Sequence, residues 1–353
     1  MLPYAGGSFL IILLGVITRR SVYFTAPRSI EIREETLSEP GPGDAVVQTM
    51  LSAISPGTEH LVYQGLFPGE LAIDENIASL RGHFDYPLKY GYSAVGQVIA
   101  LGPAVEPAWL GRTVFAFNPH ESHFIAPVTS LIPLPEDMSP ETAVFLPNME
   151  TAVNFILDGK PLIGERGVVL GQGIVGLLTT ALLAQFPLER LVTLDRYALR
   201  RQASLELGAH ASLDPDDTGA QDQLHLLLPE GADLCYELTG SPTALDQAIA
   251  ITGFDGRVLI GSWYGQKRLS LDLGGRFHRS RIRLISTQVS TLAPELTGRW
   301  SKRRRFEVAW EMLPRVGPAR WITHRFALQE AAQAYQWIEQ HPDQSIQVVL
   351  TYP

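Results

Sequence analysis

Gly171, Gly173 and Gly176 stand between an apolar run, Gly167–Leu170, and a segment of helical spacing, Leu177–Phe186. Each glycine has a physical job in holding a pyrophosphate. The first permits a tight turn, the second lets backbone approach the phosphate oxygens, and the third lets the helix pack closely on its strand. Gln172, Ile174 and Val175 fill the loop and lead into a helix start, whose unpaired N–H groups favour an anion. A second apolar run, Leu191–Leu194, ends in Asp195. That is roughly the offset of ~20 residues at which dinucleotide folds carry the acid that binds a ribose 2′-hydroxyl. Strand, loop, helix, strand and acid in register predict a dinucleotide site.

Asp195 also bears on which dinucleotide is bound. A carboxylate there accepts from the ribose 2′-hydroxyl and repels a 2′-phosphate, which favours NAD. Arg196, Arg200 and Arg201 follow at once and would suit the 2′-phosphate of NADP, the alternative cofactor. Thr239-Gly240 and Gly261 end two further apolar runs, where a Rossmann sheet presents its ligand, and so join the cofactor-binding candidates.

These residues need two kinds of framework. Before about residue 135, short β-like runs such as Ala45–Thr49, Ala94–Ile99 and Thr113–Phe117 are broken by Gly and Pro, which predicts a β-rich unit. Between Leu66 and Asp85 the pattern is less regular and reads as a loop or short helix. From about 160 to 290, strand candidates (Gly167–Leu170, Leu191–Leu194, Leu234–Leu238, Val258–Ile260, Ile282–Ser286) alternate with helical segments at Ala198–Leu207 and Pro242–Ile251. That alternation predicts a doubly wound parallel sheet. The tail is mixed: Arg305–Leu313 and Gln329–Glu339 are helical in spacing, and Ser345–Thr351 is strand-like. The fold class is therefore α/β, with domains expected at 19–158 (catalytic), 159–290 (dinucleotide-binding) and 291–353 (a return to the first). Residues 1–18 form an apolar extension.

Bulk properties narrow the partners. With 353 residues and 45% hydrophobic content, the chain has ample core for two domains, and its net charge of −9 gives no reason to propose nucleic acid. The basic run Lys302–Arg305 is a local exception, read as a solvated face. The single cysteine, Cys235, lies in a strand-like run and fits a reducing compartment. The apolar stretch Phe9–Ile17 is too short to span a bilayer, and Arg19-Arg20 follow it rather than precede it, unlike a signal peptide. A cytoplasmic protein with a small-molecule substrate is expected, without a membrane partner and assembled as a homodimer.

A β-rich unit, a Rossmann unit and a returning tail resemble the medium-chain dehydrogenase/reductase superfamily over residues 21–353. The resemblance is carried by Ile54-Ser55-Pro56-Gly57-Thr58-Glu59, Gly91-Tyr92-Ser93-Ala94-Val95-Gly96, the Gly171–Gly176 loop and Tyr236-Glu237-Leu238-Thr239-Gly240-Ser241-Pro242. Ser55–Glu59 and Leu146–Ala152 look most like the bacteriochlorophyllide dehydrogenase group. The resemblance implies a GroES-like first domain, and it puts Thr151, at the start of a helix, against the nicotinamide.

Many superfamily members bind catalytic zinc, but the matching positions here carry Ser55 or Pro56, Tyr92 and Pro147, none of them an ordinary zinc ligand. No metal is expected. Glu59, His60, His83, His120, His123 and Glu150 are the residues from which another site would have to be built. Without zinc, Tyr92 and Thr58 become the donors to the reacting oxygen, and Glu59 or His60 the groups that pass its proton on. Tyr92 can equally be an aromatic filling the vacated metal space. The loop Gly261–Gly265 is expected to close over the nicotinamide, and the basic stretch Arg276–Arg283 to lie beside the cleft. The expected activity is a zinc-independent oxidoreduction of a secondary alcohol/ketone pair, on a hydroxyethyl group of a bulky, tetrapyrrole-like substrate. Enone or quinone reduction, and dinucleotide sensing without catalysis, are the alternatives.

Overall fold

The computed structural model describes residues 16–70, 78–80 and 82–353. Most of the apolar extension 1–18 lies outside the described residues, as do 71–77 and 81 of the irregular insert. The first strand already begins at Thr18, earlier than the pattern near Ser21 suggested.

The chain opens with a hairpin of β1 (Thr18–Ala26) and β2 (Ser29–Thr36). Strand β3 (Asp44–Ala53) and a short helix, α1 (Thr58–Gln64), follow. Next come β4 (Ala94–Leu101), β5 (Thr113–Ala116), β6 (His123–Pro127) and β7 (Ile132–Pro133). Helices α2 (Pro140–Ala143) and α3 (Leu146–Gly159) lead out of this unit. The Rossmann unit runs through β8 (Arg166–Leu170), α4 (Ile174–Leu183), β9 (Arg190–Leu194), α5 (Ala198–Glu206), β10 (Ala211–Leu213) and α6 (Ala220–Leu227). It continues with β11 (Ala232–Glu237), α7 (Pro242–Ile251), β12 (Thr252–Ile260) and β13 (Arg283–Ser286). The tail supplies α8 (Lys302–Val316), β14 (Ile322–Ala327), α9 (Ala331–Gln340) and β15 (Gln347–Thr351).

Among the described residues two large sheets form. One has the order β14-β15-β3-β4-β5-β7 with β6 also paired to β3, so the last strands of the chain complete the sheet begun by its first. The other, β10-β9-β8-β11-β12-β13, is parallel throughout. Its strands are apolar on both faces because helices cover both: Val168, Val169, Leu191, Val192, Leu234, Cys235, Val258 and Leu259 are all buried. The chain passes from β8 to β9 on one side and later returns to β11 on the other. A crevice therefore opens above the carboxyl ends of β8 and β11, where such sheets bind ligands.

The sequence pattern omits β10 and α6, which are short and partly exposed and so carry little periodic signal. Helix α3 begins at Leu146, so Thr151 is a second-turn residue whose Oγ1 donates to the Pro147 carbonyl oxygen at 2.8 Å. It neither opens nor caps that helix. Helix α8 starts with the basic run, and the run is not uniformly solvated: Arg305 is 1% exposed.

Candidate functional site

The glycine loop has the geometry its spacing predicts. Gly171 takes a φ of +92°, open to glycine and costly for other residues. A Cβ on Gly176 would collide with the Gly171 carbonyl oxygen, so glycine there sets the approach of α4 to β8. At Gly173, by contrast, a Cβ would meet nothing within 4 Å. This is an open cradle facing the start of α4, whose first N–H groups have no side-chain cap. The residues present fit a dinucleotide pyrophosphate. Ile174 and Gly176 are buried at the helix start and Val175 is half-buried.

Asp195 directly follows β9 above the same crevice. Its Oδ2 accepts the Gln172 backbone N–H at 2.7 Å and its Oδ1 accepts that of Tyr197 at 2.9 Å. Each carboxylate oxygen keeps a second lone pair for a ribose hydroxyl. The Gln172 side chain turns inward: its Oε1 accepts from the Thr180 hydroxyl at 2.9 Å, and its Nε2 donates to the Val169 and Gly171 carbonyl oxygens.

The neighbouring arginines are already engaged. Arg200 donates to the carbonyl oxygens of Ser345 at 2.9 Å and Pro342 at 3.0 Å and lies over the Tyr197 ring, with burial lowering its pKa. It fastens α5 to the returning tail and is not held out for a phosphate. Arg196 pairs with Asp216 at 2.9 Å, and Arg201 with Asp214 at 2.9 Å.

Thr239 and Gly240 follow β11 at the crevice, and the sequence reading missed what holds them there. Glu237, fully buried, accepts the backbone N–H groups of Thr239 at 2.7 Å and Gly240 at 3.1 Å, together with the Thr239 hydroxyl. Its other oxygen accepts from the Tyr264 hydroxyl at 2.8 Å, and burial together with this carboxylate pushes the phenol pKa well up. The signal was a carboxylate two residues before a Thr-Gly turn. Gly261 follows β12, where a Cβ would press on the Phe155 ring. The loop beyond it reaches across to the first unit: the Gln266 N–H donates to the Leu66 carbonyl oxygen at 3.2 Å and its side chain to that of Phe67 at 2.9 Å.

The four catalytic candidates do not share one surface. Thr58 and Tyr92 are half-buried. Tyr92 packs edge-on to Tyr90, with centroids 6.3 Å apart, beside an aromatic cluster of Phe67, Phe84 and Trp263. Glu59 instead points into the interior, 0% exposed, where it meets His120 Nε2 at 2.9 Å, the Tyr335 hydroxyl and, at 3.0 Å, the Ser55 backbone N–H. His60 sits close to Tyr63, with rings 5.8 Å apart, and within reach of the charges of Glu339 and Arg28. Burial lowers its pKa and its Nδ1 has no partner among the described residues.

At the positions that the resemblance matches to zinc ligands stand Ser55 or Pro56, Tyr92 and Pro147. Among the described residues no group of three or more His, Cys, Asp or Glu side chains is arranged to hold a metal ion. The other residues considered for one are scattered: Glu150 pairs with Arg305 at 2.6 Å, His83 is exposed and His123 lies beside Ser122. The donor set does not fit catalytic zinc.

One expectation is corrected. Arg276 donates to the carbonyl oxygen of Thr252, the first residue of β12, at 2.8 Å, and Arg283 is itself the first residue of β13. The connection between these parallel strands must return to their amino ends before β13 begins. That carries Arg276–Arg283 to the edge of the sheet opposite the crevice.

Two units, one a mainly antiparallel sheet completed by the tail and one a parallel Rossmann sheet with a glycine loop at its switch point, define the two-domain fold of alcohol dehydrogenases. Residues 175–302 match the family described as zinc-binding dehydrogenase. D-guloside 3-dehydrogenase of Escherichia coli (strain K12) is 24% identical over 269 residues, which cover 74% of this chain and 77% of that protein. The chain also superposes on a short chain alcohol dehydrogenase from E. coli CFT073 solved with NADH, with a TM-score of 0.76, 18% identity, and 96% of this chain and 100% of that one covered. For 2R,3R-butanediol dehydrogenase from Bacillus subtilis the TM-score is 0.75 at 17% identity, with 94% and 99% covered. The fold is therefore that of dehydrogenases, and these relatives are dehydrogenases by name. Among the described residues no helix is long and apolar enough to cross a membrane.

Proposed function

We propose that this chain is an NAD-dependent oxidoreductase of the medium-chain type that interconverts a secondary alcohol and a ketone without zinc. The observation that carries the reading is the cradle at Gly173, open above the α4 start and bound through Gln172 to the Asp195 carboxylate. NAD is favoured over NADP because Asp195 stands where the dinucleotide pattern carries the acid for the ribose 2′-hydroxyl, while Arg200 and Arg201 are spent on protein partners.

When bound, the nicotinamide supplies or accepts the hydride. The chain must then bind the substrate, exclude water and move one proton at the substrate oxygen. Tyr92 and Thr58 are the proposed hydroxyl donors to that oxygen, and the aromatic side chains around Tyr92 suit a bulky, apolar substrate. A hydroxyethyl group on a tetrapyrrole-like ring system is the finer reading, resting on the sequence resemblance. Enone or quinone reduction is the second reading. It is favoured by the donor set, since hydride addition to a conjugated system needs no metal-bound alkoxide.

The test is oxidation of NADH and reduction of NAD, followed at saturating substrate against a panel of ketones, secondary alcohols, enones and quinones. Turnover of the ketone/alcohol pair supports the proposal. Turnover confined to enones or quinones selects the second reading. Tight NADH binding with no turnover against any class overturns both and leaves a dinucleotide-binding protein.

A further inference from the structure

Five side chains from distant parts of the sequence form one continuous hydrogen-bonded run through the first unit. The Tyr352 hydroxyl lies 2.7 Å from Ser52 Oγ, which lies 2.7 Å from His120 Nδ1. His120 Nε2 is 2.9 Å from Glu59 Oε2, and the Tyr335 hydroxyl donates to the same oxygen. Ser52, Glu59, His120 and Tyr335 are all 0% exposed. At the outer end, Tyr352 lines a surface cavity of about 350 Å³ together with Arg20, Glu34, Ser122 and His123.

Serine, histidine and glutamate in this order resemble a hydrolytic triad, but the arrangement cannot act as one. Ser52 Oγ is sealed and already bonded on both sides, so no acyl group can reach it. A buried polar chain of this kind is also a poor way to gain stability, since well-packed apolar residues often do as well or better.

What the chain can do is carry a proton, because each internal group both donates and accepts. In one arrangement Glu59 is ionised and every hydrogen points toward it: Tyr352 O–H to Ser52, Ser52 O–H to His120 Nδ1, and His120 Nε2–H to Glu59. A proton entering Tyr352 from the cavity displaces the next hydrogen at each step. The chain then ends with Glu59 protonated, hydrogen on His120 Nδ1, and every hydrogen pointing outward. One proton has crossed, and no atom has been left over or under-bonded.

The inner end lies under the proposed donors. Glu59 directly follows Thr58 on α1 and fixes the Ser55 N–H. Gly91, which precedes Tyr92, lies so close to the His120 ring that a Cβ there would come within 2.8 Å of it. Tyr335 lies in the buried cluster against which Tyr92 packs. We propose that Tyr352–Ser52–His120–Glu59–Tyr335 is a proton path joining the surface cavity to the cleft, and that it serves the alcohol/ketone reaction. The second half of this statement rests on the function proposed above. In ketone reduction the carbonyl carbon takes a hydride from the reduced nicotinamide dinucleotide. Its oxygen takes a proton from Tyr92. The Tyr335 O–H, which rests on Glu59, then turns to the Tyr92 oxygen and gives up its proton, taking that of Glu59 in return. Glu59 is refilled from the cavity, and the hydroxyls and the His120 ring turn back before the next cycle. Alcohol oxidation runs the same transfers in reverse. His120, Ser52 and Tyr352 are thus relay residues that never touch the substrate.

The path is tested first without cofactor or substrate. In protein labelled with ¹⁵N at histidine, exchange of the His120 ring N–H with water is measured by NMR, in the unmodified chain and in Tyr352→Phe. The path predicts fast exchange despite complete burial, slowed at least about tenfold in Tyr352→Phe, with the melting temperature little changed because the ring is kept. Equally slow exchange in both proteins overturns the path. The second measurement is ketone reduction by Tyr352→Phe, where kcat should fall at least about tenfold with the KM for NADH unchanged, in line with the ~10²–10⁴ range of positioned proton transfer. Fast exchange with an unaltered kcat overturns the role in the reaction. Absence of turnover in the unmodified chain overturns the proposed function, and the exchange result still decides the path.

Discussion

Asp195 Oδ2 accepts the backbone N–H of Gln172 at 2.7 Å. The acid proposed to bind the ribose therefore also fixes the glycine loop. On that proposal one carboxylate has two jobs, and substitution there cannot alter nucleotide choice alone.

Asp195→Ala should weaken NADH binding and lower stability by about 1–3 kcal/mol, because the buried Gln172 N–H loses its acceptor. A clean switch to NADP is not expected, since Arg200 remains tied to Ser345 and Pro342. Titration of both dinucleotides, together with urea unfolding, checks this. A variant of full stability that binds NADP more tightly than the parent binds NADH would refute it.

Gly173→Val should fold normally and fail to bind NADH. Its backbone, at φ −64° and ψ 179°, is open to any residue, and no protein atom lies within 4 Å of the added Cβ. Affinity should fall at least about 100-fold, or roughly 2.7 kcal/mol. Calorimetric titration and circular dichroism read the two halves separately. Unchanged affinity in a folded variant would remove the cofactor assignment.

Tyr92→Phe keeps the ring and removes only the hydroxyl. Turnover should fall by ~10²–10³, the usual cost of losing one donor to a developing oxyanion, with NADH affinity near normal. Thr58→Val tests the partner donor in the same way. Full activity in both variants would leave Tyr92 as an aromatic that fills space.

Arg305 reaches Glu150 with Nη2 at 2.6 Å and Nε at 3.0 Å, and Asn154 Oδ1 with Nη1 at 2.5 Å. Burial pushes the Glu150 carboxyl pKa up and Arg305 opposes the shift. Arg305→Met should cost about 3–5 kcal/mol by leaving that carboxylate unpaired in the interior. The double variant with Glu150→Leu should recover much of the loss. Denaturant unfolding of both singles and the double supplies the comparison, and simple additivity would show that the pair is not coupled.

His60 gives a pH test. Burial is the main cause lowering its pKa below the ordinary 6.5. The unfolded chain therefore binds this proton more readily than the folded one, so the contribution is present above 6.5 and is lost as pH falls below it. His60→Gln should narrow the drop in melting temperature between pH 7 and pH 5. An identical drop in parent and variant would place the titrating group elsewhere.

The sequence by itself determined the features that local order carries. Glycine spacing before an apolar helix, Asp195 after the next apolar run, and strands alternating with helices all follow from backbone geometry and short-range periodicity. The non-ligand residues at the zinc positions were instead implied by the family resemblance. Tertiary structure alone decided which side chains meet. Glu59 and His120 are 61 positions apart, and Glu150 and Arg305 are 155 apart. A buried polar group's partner is set by how the sheets and helices pack, and periodicity is silent about that. The same reason explains the two basic stretches. Their composition reads as solvated or cleft-lining, yet packing on α3 buries Arg305, and the return of the chain to the amino end of β13 takes Arg276–Arg283 away from the crevice. Local pattern chose the elements, and the burial of unlike groups against one another chose the contacts.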